Sequence, residues 1–360
     1  MHSPTPERTP QARITRRAFL NGFTAAAAAG VAWPQAFLNA AESGTSRDSF
    51  GELLPTRPLG NTGERVTMLG VGGQHFRWLP AAQLELAVET AIAGGIRFWD
   101  TANSYGKDQL SERLFGQHLV PKYRDEIFLM SKTMARDART AQEHLELSLK
   151  NMKTDHMDLW QIHNVSSIED AHRRWDEGVV DVVVKAQEEG KTRMIGFTGH
   201  HDYRGHLEML KLFKQRGVSL QTVQMPVNVV DPDYDSFIEK VIPAAQEMGV
   251  GVLAMKSMCG GRLFGGLGEG WGKHGKVAAK PIVPDLLPLR DATDYVWSLP
   301  VSTRIAGFDT VAQLQEHIDA AQQLRQLTPR QQAEILKTAS QRSGPVMEFY
   351  KKDTRAQATS

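Results

Sequence analysis

Apolar strand-like runs and helical periods alternate along most of this chain, and that alternation limits its fold more than any other feature. The apolar runs are VTMLGVGG, IRFWDTA, IFLMSKT, MDLWQIH, RMIGFTG, TVQMPV, GVLAMKS and TRIAGF. Helical periodicity falls at Ala81–Ala93, Gln109–Leu119, Ala141–Met152, Ile168–Glu189, His206–Arg216, Asp235–Met248, Asp291–Leu299 and Val311–Leu324. A strand that is apolar on both faces must be covered on both faces, which is the condition of a parallel sheet with helical crossovers. Eight strand–helix repeats within 57–325 predict an α/β fold closed as a (β/α)8 TIM barrel. An open doubly wound sheet is the alternative. Ahead of the first strand, RPLGNTGERV reads as a hairpin about Gly-Asn-Thr-Gly. After the seventh comes a long Gly- and Pro-rich loop, Gly260 to Pro288, too long for a plain connection and of the kind that forms lids. Residues 326–360 read as one further helix, Pro329 to Ser340, and a frayed tail.

Composition excludes several function classes. Lys and Arg number 42 against 41 Asp and Glu, so no basic surplus argues for nucleic acid. The single cysteine, Cys259, leaves no intrachain disulfide, CxxC pair or thiolate cluster and reads as a packing residue. GWGKHG, with Gly270, Gly272 and Gly275, has the spacing of a dinucleotide fingerprint. It lacks the preceding strand and following helix that bring amides to a pyrophosphate, so it reads as loop. Adjacent His200 and His201, with His206 nearby, rarely face one ion, and no metal site is expected.

The N-terminus stands apart. Arg8 and Arg13 precede TRRAFL, with Arg16 and Arg17 adjacent, then the mild apolar run NGFTAAAAAGVAW and small residues at Ala40 and Ala41. This resembles a twin-arginine export signal over 1–41, followed by a Ser/Gly/Thr-rich linker at 42–56. The resemblance implies the export machinery as a partner, a periplasmic destination and no stable membrane insertion after cleavage. A disordered arm leading into an ordinary helix is the plainer reading.

In a barrel, residues at the C-terminal ends of the strands share one mouth. The second strand ends at Asp100, with Tyr105 on the loop after it; the third delivers Lys132 and the fourth His163. Each type alone is commonly structural: a carboxylate that caps, a lysine that snorkels, a buried histidine. Three consecutive strand ends, about thirty residues apart, bring a carboxylate, a phenol, an ammonium and an imidazole together. A structural Asp100–Lys132 ion pair with bystanders is the competing interpretation.

GGIRFWDTANSYG, FLMSKT and DLWQIHN resemble the signature regions of the aldo-keto reductase superfamily, and the resemblance extends over about 57 to 325. It implies that Asp100, Tyr105, Lys132 and His163 form a catalytic tetrad serving a nicotinamide cofactor. The residue types suit the chemistry. A free tyrosine titrates at about 10, too high for efficient proton transfer at neutral pH, and a neighbouring ammonium favours its phenolate. Asp100 would hold the ammonium, and His163 would orient the substrate oxygen.

The cofactor half departs from the family pattern. By the resemblance Thr198 replaces a serine, Gly199 stands where an asparagine is expected, Gln224 matches the carboxamide-binding glutamine, and Met255 replaces a stacking aromatic. Gly307 and Phe308 lead into the last helix, with Gln313 at the usual arginine and Glu316 beside His317, which replaces an asparagine. Lys256, Arg262 and His317 are the candidate sources of charge for a phosphate. The resemblance implies NADP, with NAD as the alternative. The expected substrate is a small carbonyl compound or alcohol. The rival reading, from the departures and from export, is a nicotinamide-binding sensor or accessory barrel with little turnover.

Overall fold

The computed structural model describes residues 46–267 and 276–351. The export-signal residues, Gly270, Trp271, Gly272 and Gly275 lie outside the described residues. Eight parallel strands form a closed barrel. They are β1 (Leu69–Gly72), β2 (Phe98–Asp100), β3 (Phe128–Thr133), β4 (Met157–Ile162), β5 (Thr192–Thr198), β6 (Thr222–Pro226), β7 (Gly251–Met255) and β8 (Thr303–Ala306). The ring closes where Arg304 pairs with Leu69 and Ala306 with Val71. The open-sheet alternative is thereby excluded.

Alternate strand residues face inward and outward. The inward set is Phe98, Phe128, Met130, Leu159, Met194, Leu253 and Ile305, joined by Leu59 and Val66 from the hairpin. Phe98 and Phe128 stack at 4.9 Å, filling the barrel with rings rather than leaving a pore. The hairpin, Thr56–Pro58 paired with Arg65–Thr67, plugs the bottom. Asn61 donates to the Gly249 carbonyl at 2.8 Å. A Cβ on Gly60, whose φ is +55°, would sit 2.4 Å from that same carbonyl, so only glycine serves there.

The helices follow the predicted order with local differences. The period at 168–189 is two helices, α1 (Ile168–Asp176) and α2 (Val179–Glu188), broken at Gly178 with φ +73°. Part of the linker is ordered: Arg47–Asp48 pairs with Gly51–Glu52, and Arg97 holds Asp48. The tail does not fray as far as Lys351. Met347, Glu348, Phe349, Tyr350 and Lys351 are all buried. Among the described residues no helix is long and apolar enough to cross a membrane.

Candidate active site

Lys132 is the last residue but one of the fully buried strand β3, and its ammonium has three donors to place. One goes to Asp100 Oδ1, one to the Thr101 carbonyl at 2.9 Å, and one to the Tyr105 hydroxyl at 3.2 Å. A buried ammonium is tolerated when it is paired and fully hydrogen-bonded. Burial pulls the Lys132 pKa below that of an ordinary lysine, and Asp100 pulls it back up. The other Asp100 oxygen accepts from Gln224 Nε2 at 2.9 Å.

Tyr105 is placed by its own loop. Its amide bonds to Ala102 and its carbonyl receives the Ser111 amide. The Ser111 hydroxyl in turn donates to the Gly73 carbonyl, tying this loop to the one after β1. The Lys132 ammonium lies 4.8 Å from the phenol ring centre, and His163 meets that ring edge-on at 5.9 Å. The His163 amide bonds to the Thr133 carbonyl, and Ser104 lies 3.3 Å from its Nδ1. Burial first, then the positive charges of Lys132, Arg136 and Lys256, hold the imidazole well below the usual histidine pKa. His163 is therefore neutral at physiological pH, a hydrogen-bonding group rather than a cation.

The structure brings all four predicted residues to one mouth. Sequence reasoning missed their support. Arg174, fully buried on α1, donates to the His163 carbonyl at 2.8 Å and pairs with Asp170 at 3.2 Å. The signal was an Asp and an Arg at i,i+4 on a helix whose buried face should have been apolar.

The predicted cofactor residues lie around the other half of the ring. Gln224, held to Asp100 by its amide nitrogen, has its buried Oε1 without a hydrogen-bond partner. An acceptor of that kind fits the amide N–H of a nicotinamide carboxamide. Thr198 and the half-buried Met255 are neighbours, with Oγ1 to Sδ at 3.9 Å. Gly199 leaves no room for asparagine: a Cβ there would lie 2.3 Å from the Val165 carbonyl and 2.7 Å from the His206 ring. The departure from the family pattern is thus enforced by packing.

After β8, Gly307 packs against the His75 ring, and Phe308 is buried in the core against Phe76. Gln313 is exposed and accepts from the Asp309 amide at 2.7 Å, bracing the loop. Glu316 is exposed on the same helix. His317 is buried between Arg304 and the Gly307 carbonyl, and burial followed by Arg304 pushes its pKa down to about 3. The expectation that His317 contributes charge is corrected by that: it is neutral. Arg262 is spent on the Val277 and Val346 carbonyls, where it ties down the tail. Lys256 takes a left-handed φ of 53° and lies 5.8 Å from the Tyr350 ring centre.

With this geometry established, the comparisons agree on a family. Residues 68–339 match the Aldo/keto reductase family. The chain belongs to that family and is an oxidoreductase of its kind. It is 30% identical over 230 residues to the uncharacterized oxidoreductase YrpG of Bacillus subtilis (strain 168), covering 58% of this chain and 67% of that one. It is 30% identical over 201 residues to the aldo-keto reductase YhdN of the same organism, covering 51% of this chain and 54% of that one. The match thus spans about half the length of YhdN. Among solved structures, the holo form of aldo-keto reductase AKR11C1 from Bacillus halodurans superposes with a TM-score of 0.66 at 22% identity. That match covers 82% of this chain and 99% of that one, and it concerns the fold.

Proposed function

We propose that the protein reduces an aldehyde or ketone, or oxidises the corresponding alcohol, with a nicotinamide cofactor and with Tyr105 as general acid and base. The observation that carries this reading is the buried contact of one ammonium with both the Asp100 carboxylate and the Tyr105 hydroxyl. A bound nicotinamide supplies or accepts the hydride. Gln224 Oε1 would hold its carboxamide, with Thr198 and Met255 beside it. Tyr105 gives its proton to the carbonyl oxygen as that oxygen gains charge, and takes it back in the reverse direction. Lys132 stabilises the phenolate left behind, Asp100 keeps Lys132 in place, and neutral His163 positions the oxygen. The carbonyl thereby gains one hydride at carbon and one proton at oxygen.

The family favours NADP over NAD, and the exposed loop after β8 argues less strongly, because no arginine fork stands there. Steady-state nicotinamide absorbance with a panel of carbonyls tests the reading. Tyr105→Phe should lower kcat by about 100- to 10,000-fold, the usual worth of a positioned proton donor. Wild-type turnover in that variant refutes the assignment. Export is proposed on Arg16 and Arg17 followed by Phe19 and Leu20. A reporter fused to residues 1–41 should reach the periplasm, and should stay inside when both arginines are replaced by lysine.

A further inference from the structure

Arg304 is a charge in the middle of an apolar strand. Its neighbour Ile305 faces the barrel interior, and Arg304 itself lies against the outer helices with none of its surface exposed. Its guanidinium sits 4.7 Å from the Trp297 ring centre. Nη1 donates to Ser257 Oγ at 3.3 Å and Nη2 to His317 Nδ1 at 3.1 Å, while Nε has no partner. Among the described residues no carboxylate is within ion-pair distance of it. Asp294, the acid that acts on it from further off, is taken by Arg290 at 3.4 Å and Arg325 at 2.6 Å. A buried charge without a counter-ion is expensive to keep.

The two neutral partners fix a direction. His317 Nδ1 can only accept from Arg304, so its proton sits on Nε2, which donates to the Gly307 carbonyl at 3.3 Å. That occupies a carbonyl whose negative end would repel an anion. Ser257 accepts from Arg304, so its hydroxyl hydrogen turns away from the guanidinium, and none of the described groups accepts it. The ends of β7 and β8 therefore present a donor backed by a buried positive charge. An anion is the ligand this arrangement favours.

We propose that Arg304, acting through Ser257 and His317, is a positioning residue for a phosphoryl group of the bound dinucleotide, supplying from inside the fold the charge that the exposed loop lacks. This rests on the nicotinamide reading above. Calorimetric titration of the full chain with ADP-ribose and with 2′-phospho-ADP-ribose tests it, each at low and high salt. In the wild type both fragments should bind, more weakly at high salt. Arg304→Met should weaken binding about tenfold or more and flatten the salt dependence. Arg304→Lys, which keeps the charge, should retain most of the affinity. Loss for both fragments places the contact at the pyrophosphate; loss for the 2′-phosphorylated fragment alone places it at the 2′-phosphate. Either supports the proposal. Unchanged affinity and salt dependence in a folded Arg304→Met overturns it. Should Arg304→Met fail to fold, Ser257→Ala decides, because wild-type affinity in that variant also overturns it. A wild type that binds neither fragment overturns the nicotinamide reading as well as this inference.

Discussion

Lys132 is where stability and chemistry meet in one side chain. Its ammonium is the counter-charge for Asp100 and the neighbour of the Tyr105 hydroxyl. Lys132→Met would leave a buried carboxylate uncompensated. It should cost about 3–5 kcal/mol of stability in urea unfolding, and Asp100→Asn added to it should recover part of that loss. His163 gives a second prediction. Its folded pKa lies well below 6.5, so the folded state binds fewer protons than the unfolded one once pH falls below that value. Stability should then drop as pH falls through about 6. His163→Gln should lose less than the wild type between pH 7 and pH 5, measured by thermal unfolding. The four residues that meet at the mouth were legible because each lies at a strand end or on the loop after it. Arg304 was not, since its partners Ser257 and His317 lie 47 and 13 positions away, and Arg174 shows in the sequence only through Asp170, its other partners being distant backbone carbonyls.

At the scale of elements, the tail departs most from its sequence reading. Lys351, fully buried, donates to Asp231 at 2.7 Å, to Glu348 at 2.7 Å and to the Tyr234 carbonyl at 2.6 Å. Glu348 also accepts from Asn228 and from the Tyr350 hydroxyl, each at 2.9 Å. All six of these residues belong to two segments about 120 positions apart, so no local pattern announces the knot. Burial pushes the Glu348 pKa up to about 7, with Asp231 adding to the rise and Lys351 opposing it. A carboxyl raised in the folded state binds extra protons there, so its contribution falls as pH rises from about 4.5 to 7. The melting temperature of the wild type relative to Glu348→Gln should therefore fall from pH 5 to pH 8; a constant difference refutes the assignment. The β5 end makes a complementary case. The sequence shows that Gly199 replaces the family's asparagine but hides the reason, which is the Val165 carbonyl 2.3 Å from any added Cβ. Gly199→Ala should destabilise by about 1–3 kcal/mol through overpacking.

Across the whole molecule, the closed ring divides the labour. Strands β2 to β4 carry the proposed proton-transfer groups, and β5 to β8 carry the residues proposed for the cofactor. Gln224 spans the division, reaching from β6 to Asp100 on β2. The barrel itself was legible because eight apolar strands need cover on both faces, whereas the cofactor half depends on contacts that short motifs do not record. This division predicts that binding and turnover separate. A cofactor that binds the folded state alone, at about 100 times its Kd, adds about 2.7 kcal/mol. In a protein this large that raises Tm by several degrees. Tyr105→Phe removes one hydroxyl, on the catalytic side, and leaves Gln224 and the β7–β8 ends as they are. It should therefore keep the full thermal shift with NADP or NAD while losing carbonyl reduction. Gln224→Leu should do the reverse in part: the shift shrinks because the carboxamide acceptor is gone, and kcat falls as well because Asp100 loses a partner. If Tyr105→Phe abolishes the shift, the two halves of the ring act as one unit and the division fails.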